Sequence, residues 1–77
     1  MVKIKEGKRY KFNSEDGNTY YYEVVKDNSD NCCAPPELYI GLQLYKVNNE
    51  PIRQDITFLY KETFLSIQDK FIEVEND

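Results

Sequence analysis

The side chains that could do chemistry in this chain of 77 residues are few, and their spacing is restrictive. There is no histidine. That removes the commonest general base, the usual partner of serine and cysteine nucleophiles, and the commonest metal ligand. Glu15 and Asp16 are adjacent carboxylates, and acid–base work requires environments that push two such pKa values apart. They fall in a turn-forming stretch, where water screens both, so turn chemistry accounts for them. The three glycines form neither of the glycine-rich phosphate cradles. Asp27, Asn28, Asp30 and Asn31 crowd together but lack the glycine and terminal glutamate of a calcium loop. Cys32 and Cys33 supply two ligands where tetrahedral zinc takes four, and neighbouring cysteines bridge each other only with backbone strain. They read as two reduced loop thiols, or more sharply as an intermolecular or redox-sensitive contact. The pattern points to a protein that is not an enzyme and carries no metal or cofactor.

Two other sets of residues remain. The first is aromatic: seven Tyr and four Phe. Tyr20, Tyr21 and Tyr22 put rings on both faces of one strand, while Tyr39 and Tyr45 fall opposite a Leu/Ile stripe. Tyrosine combines an apolar body with a polar tip and is enriched at interfaces. Tyr20, Tyr22, Tyr39 and Tyr45 are therefore candidate binding residues. The competing reading is that both faces of a curled sheet need packing. The second set is charge. Ten basic and fourteen acidic residues give a net charge of −4. Residues 1–11 hold five basic residues (Lys3, Lys5, Lys8, Arg9, Lys11) against Glu6; residues 12–77 hold five basic against thirteen acidic. The acidic body discourages generic phosphate binding, which needs clustered Lys and Arg, and permits a basic partner. Glu15, Asp16, Asp27, Asp30, Glu50, Asp55, Glu73 and Glu75 are the candidate acidic contacts.

The elements that must position these residues read as strand and turn. The composition favours a pleated, half-buried surface over helices, with one Met and a single Ala. Residues 8–26 read as a hairpin around Asp16-Gly17, a strong turn signal, with Tyr20, Tyr22 and Val24 on one face. Residues 27–36, DNSDNCCAPP, form a loop. A third strand runs from Glu37 to Val47, with Leu38, Ile40, Leu42 and Leu44 along one face. Gly41 at its middle marks a bulge or bend. Asn48 to Pro51 turn the chain, and Ile52–Tyr60 reads as a fourth strand. The spacing of Tyr60, Phe64, Ile67 and Phe71 is helical, while residues 71–75 alternate like a strand. A helical turn near 61–67 and a closing strand at 70–75 accommodate both. The N-terminus alternates charged and apolar residues unlike a signal peptide, and no apolar run is long enough for a membrane span. The expectation is a mainly β, soluble, cytoplasmic protein forming a single domain over residues 1–77. A core this small supplies about 3–5 kcal/mol unless something staples it, which adds a homodimer to the expectations.

The run EGKRYKF, then YYEVV, then ELYIGLQLY, then TFLYKETFLS resembles a family of small SH3-like domains found as uncharacterised proteins in bacteria and their phages. Gly7, Tyr10, Glu23, Val24, Tyr39 and Phe64 occupy the matching places. The longer CCAPP loop departs from the pattern, as does Lys61-Glu62 where the family often has Arg-Pro. The resemblance implies an SH3-like open barrel of four to five antiparallel strands with one short helical turn. It also implies a phage-type inhibitor of a host protein. Three partner classes follow: another protein held by a tyrosine-bearing face, a basic nucleic-acid-binding protein captured by an acidic DNA mimic, or nucleic acid held directly by the Lys3–Lys11 strand with Tyr10 and Tyr20.

Overall fold

A computed structural model describes residues 4–52 and 54–74. It contains six strands: β1 (Arg9–Asn13), β2 (Thr19–Asp27), β3 (Ile40–Val47), β4 (Glu50–Pro51), β5 (Thr57–Leu59) and β6 (Phe71–Glu73). One helix, α1 (Lys61–Ile67), continues into a 3-10 turn at Gln68–Lys70; another 3-10 turn spans Pro36–Leu38. All described strand pairs are antiparallel, in the order β4-β3-β2-β1-β6, with β5 also on β3. The protein is thus mainly β, with the short helix over the residues whose spacing suggested it.

The local signals act as their chemistry dictates. At the β1–β2 turn the Asp16 carboxylate accepts from the Asn18 backbone N–H at 2.9 Å, and Gly17 takes the positive φ of 90° that a Cβ would disfavour. Asn48, at φ 54°, turns β3 into β4. Its carboxamide holds the neighbouring turn, accepting from the Thr19 backbone N–H at 2.9 Å and donating to Asn18 at 3.1 Å.

Three of the expected strands are corrected. The third begins at Ile40 and not Glu37, because Pro35-Pro36 lead into a 3-10 turn that Leu38 closes. The expected strand Ile52–Tyr60 is not continuous. Lys46 faces Pro51 and Leu42 faces Thr57, so six residue steps on one side oppose four on β3. Two residues are surplus and must leave the edge, which divides the segment into β4 and β5. The closing strand expected at 70–75 is Phe71–Glu73 among the described residues, because Lys70 ends the preceding 3-10 turn; Glu75 lies outside the described residues.

Ile4, Tyr10, Val24, Ile40, Leu42 and Phe64 form the buried core, with Tyr22, Tyr39, Leu59, Leu65 and Phe71 packed around it. An aromatic chain runs through this inner side. Ring centroids lie 6.5 Å apart for Tyr20–Tyr22, 6.0 Å for Tyr22–Phe71, 6.3 Å for Phe71–Phe64 and 5.9 Å for Phe64–Tyr39. Phe12 joins it at Phe71, 5.3 Å away. These are the separations at which tilted rings attract.

Gly41 serves space, not backbone freedom. A Cβ there would meet the Phe58 ring at 2.9 Å and the Lys26 Cβ at 3.2 Å. Phe58 stands opposite Gly41 in the ladder, so its ring lies on the glycine. We expect Gly41→Ala to cost about 1–2 kcal/mol by overpacking and to push the Phe58 ring outward. In a urea-unfolding double-mutant cycle, adding Phe58→Ala should recover most of that loss. Simple additivity would show that the two residues do not compete for the same space.

Candidate functional site

The outer face of the sheet is built by the β2–β3 register. Tyr21 faces Lys46, and Tyr22 faces Leu44. Tyr45 is therefore the extra residue of a β-bulge, a feature that re-aims side chains. Here it places Tyr45 and Lys46 together around Tyr21: the Tyr21–Tyr45 centroids are 6.2 Å apart, and the Lys46 ammonium lies 4.6 Å from the Tyr21 ring centre. Arg9 reaches the same patch from β1. Its guanidinium sits 4.5 Å from the Tyr45 ring centre, and its Nε donates to Glu23 Oε1 at 3.1 Å. Arg9 and Glu23 are also direct ladder partners. The result is a cation-and-tyrosine cluster on an otherwise acidic protein, each contact contributing about 0.5–1 kcal/mol at such exposure.

Beside this cluster, the surplus between β4 and β5 opens a cleft of about 920 Å³ lined by Gln43, Tyr45, Ile52, Gln54, Asp55 and Thr57 among others. Ile52 donates its backbone N–H to the Tyr45 carbonyl at 3.1 Å, and the Gln43 carboxamide donates to the Gln54 carbonyl at 3.2 Å. Past the cleft, Ile56, Phe58 and Tyr60 are exposed at alternate positions while Leu59 turns inward onto the core. Ile56 and Tyr60 keep about half their surface in water, at 50% and 49%.

The expected tyrosine face therefore divides in two. Tyr20, Tyr22 and Tyr39 belong to the inner aromatic chain; of the four candidates, Tyr45 stands on the outer face. Tyr39 was expected beside Tyr45. It instead precedes β3, where it packs against Phe64. Burial of the Tyr22 phenol, with the neighbouring Tyr20 hydroxyl contributing less, raises its pKa above the ordinary tyrosine value. Tyr21 and Phe58 are not among the binding candidates the sequence offers, and Arg9 enters there only as one charge of the basic N-terminal segment. The signal for Phe58 was Gly41, whose missing side chain leaves room for a ring; nothing announced the bulge that gathers Tyr21, Tyr45 and Lys46.

The acidic candidates do not gather on one face. Glu15 and Asp16 sit in the β1–β2 turn and Glu50 follows the β3–β4 turn, all at one end of the sheet. Asp27 and Asp30 lie at the opposite end, where β2 leaves for the loop. Asp55 lines the cleft, and Glu73 faces Lys8 from the β6 edge at 3.9 Å. Glu75 lies outside the described residues, as does Lys3. Asp16 is partly engaged in the fold. The Asn18 backbone N–H and then the Tyr20 hydroxyl, at 3.0 Å, hold its pKa below the ordinary carboxylate value. Tyr10 is buried, with its hydroxyl accepting from the Lys5 backbone N–H at 3.0 Å, so it presents no ring to a nucleobase. Cys32 and Cys33 are free and exposed in the loop, their sulfurs 3.7 Å apart.

Among the described residues no cluster of three or more His, Cys, Asp or Glu could hold a metal ion, and no helix is long and apolar enough to cross a membrane. No protein-family model, curated protein or solved structure matches the chain.

Proposed function

We propose that this chain is a non-catalytic protein-binding module that meets its partner with the outer sheet face, from the Tyr21–Tyr45 cluster to the Ile56, Phe58 and Tyr60 row. The observation that carries the reading is the exposure of those three side chains at alternate positions of one segment. A domain with so small a core gains from burying every apolar residue it can, and contiguous exposed apolar surface marks interaction sites. Tyr45 and Arg9 beside the row belong to the types that dominate binding hot spots. We also read the fold as an SH3-like open barrel. That reading is supported by a strand meander in which the last strand, β6, returns after the helical turn to pair with the first.

The two nucleic-acid readings gain less from the geometry. An acidic mimic requires carboxylates spaced along one surface, whereas these stand at both ends of the sheet. Direct binding through the N-terminal strand loses the Tyr10 ring to the core.

Affinity capture from a cell lysate with the wild-type chain and with Tyr45→Ala/Ile56→Lys, at low and high salt, tests the proposal. A protein retained by the wild type, lost by the double variant and little affected by salt is the expected result. Capture that weakens steeply with salt and is competed by DNA would instead support the acidic mimic. Retardation of DNA or RNA by the isolated chain would replace both readings with direct nucleic-acid binding through the basic N-terminal segment.

A further inference from the structure

β5 is an edge strand: among the described strands it pairs with β3 alone. Natural edge strands are shielded from further pairing by charges, proline, bulges or covering loops. Residues 56–60, ITFLY, carry neither charge nor proline, and all are exposed except Leu59, which turns to the core. The chain remains extended through Tyr60, at φ −66° and ψ 146°, before α1 begins. This edge is a template for one more strand.

The flanking residues identify that strand. Residues 55–61 read Asp-Ile-Thr-Phe-Leu-Tyr-Lys, and they match themselves when reversed about Phe58. Ile56 then faces Tyr60 and Thr57 faces Leu59, and just past the extended segment the acidic Asp55 of one copy comes beside the basic Lys61, the first residue of α1, of the other. A two-fold interface requires such self-complementarity, since each contact occurs twice. An aromatic against a β-branched residue across an antiparallel pair stabilises it, and opposite charges meeting at its two ends add exposed ion pairs.

We propose that the protein forms a symmetric homodimer by antiparallel β5–β5 pairing centred on Phe58, which joins the two sheets into one. The proposal rests on the reading of this segment as a protein-binding surface and commits it to a second copy of the same chain. Phe58, held on Gly41, meets its counterpart at the axis. Ile56 of each copy packs on Tyr60 of the other, and the two Asp55–Lys61 pairs close the ends. The net charge of −4 per chain opposes association, but distant charges are screened beyond about 8 Å at physiological ionic strength.

A charge-swap series on the full chain separates this interface from any other. Sedimentation equilibrium over a range of concentrations should give a mass rising from the 9.2 kDa monomer to twice that value. Asp55→Lys and Lys61→Asp should each raise the dissociation constant about tenfold, because two attractive pairs become repulsive. The double variant Asp55→Lys/Lys61→Asp should return it to within about threefold of wild type, since the pairs are restored with reversed sign. Circular dichroism should show every variant folded, because both residues are exposed. A wild type that remains monomeric throughout overturns the dimer while leaving capture of a different protein intact. Association that ignores the single swaps, or that the double variant fails to rescue, overturns the β5 interface.

Discussion

Phe64→Ala should leave most of the protein unfolded at 25 °C. Phe64 is fully buried and is the one buried residue of α1. Its ring lies between Tyr39 and Phe71, so it joins the start of β3 to the returning strand β6. Truncating a fully buried phenylalanine costs about 3–5 kcal/mol, part in lost transfer energy and part in the cavity left behind. That equals the whole margin of about 3–5 kcal/mol expected for a core of this size. α1 gives little help, because a helix of seven residues has almost no stability without its packing. Urea unfolding followed by circular dichroism measures the loss. Phe64→Leu, which refills much of the space, should cost less than half as much. A loss below about 1.5 kcal/mol for Phe64→Ala would mean that the ring is not the centre of the core. If the β5 dimer forms, the comparison belongs at one protein concentration, because association adds to apparent stability by mass action.

Local chemistry made much of this fold legible. Asp16-Gly17 and Asn48-Asn49 announce turns because few other residues tolerate those backbones. The alternation of Ile40, Leu42 and Leu44 names the buried face of β3, and the helical spacing of Tyr60, Phe64 and Ile67 locates α1. What remained hidden depends on register, which no single strand contains. That Tyr45 is the extra residue of a bulge follows from the pairing of β3 with β2, and the surplus of residues opposite β3 follows from pairing at both ends of its edge. The candidate site was correspondingly harder to read than the core. Three of the four candidate tyrosines proved to belong to the inner aromatic chain, because a ring on a strand of a small sheet packs inward as readily as it binds outward. The acidic residues were legible as a count, and their separation to opposite ends of the sheet emerged only from the topology.

The C-terminal strand offers the sharpest test of this sidedness. Phe71 and Ile72 are neighbours in β6, facing Phe12 and Lys11 of β1. The pleat turns Phe71 inward, where it touches Phe12, Tyr22 and Phe64, and leaves Ile72 about half exposed on the outer face. Phe71→Ala should cost about 2–3 kcal/mol, short of the full value for a buried ring because Phe71 is only partly buried. Ile72→Ala, losing side-chain atoms already in water, should cost less than about 0.5 kcal/mol. The two substitutions should also differ in where they act. β6 holds to β1 through three ladder pairs and the bond from the Val74 N–H to the Arg9 carbonyl at 3.0 Å. Removing the Phe71 ring takes away the packing that keeps so short a strand in place. Hydrogen exchange in Phe71→Ala should therefore accelerate first at those β1 amides that bond to β6, while the β2–β3 ladder opens only with global unfolding. Equal losses for Phe71→Ala and Ile72→Ala, or faster exchange spread evenly over the sheet, would contradict an aromatic chain on one side that fastens the last strand to the first.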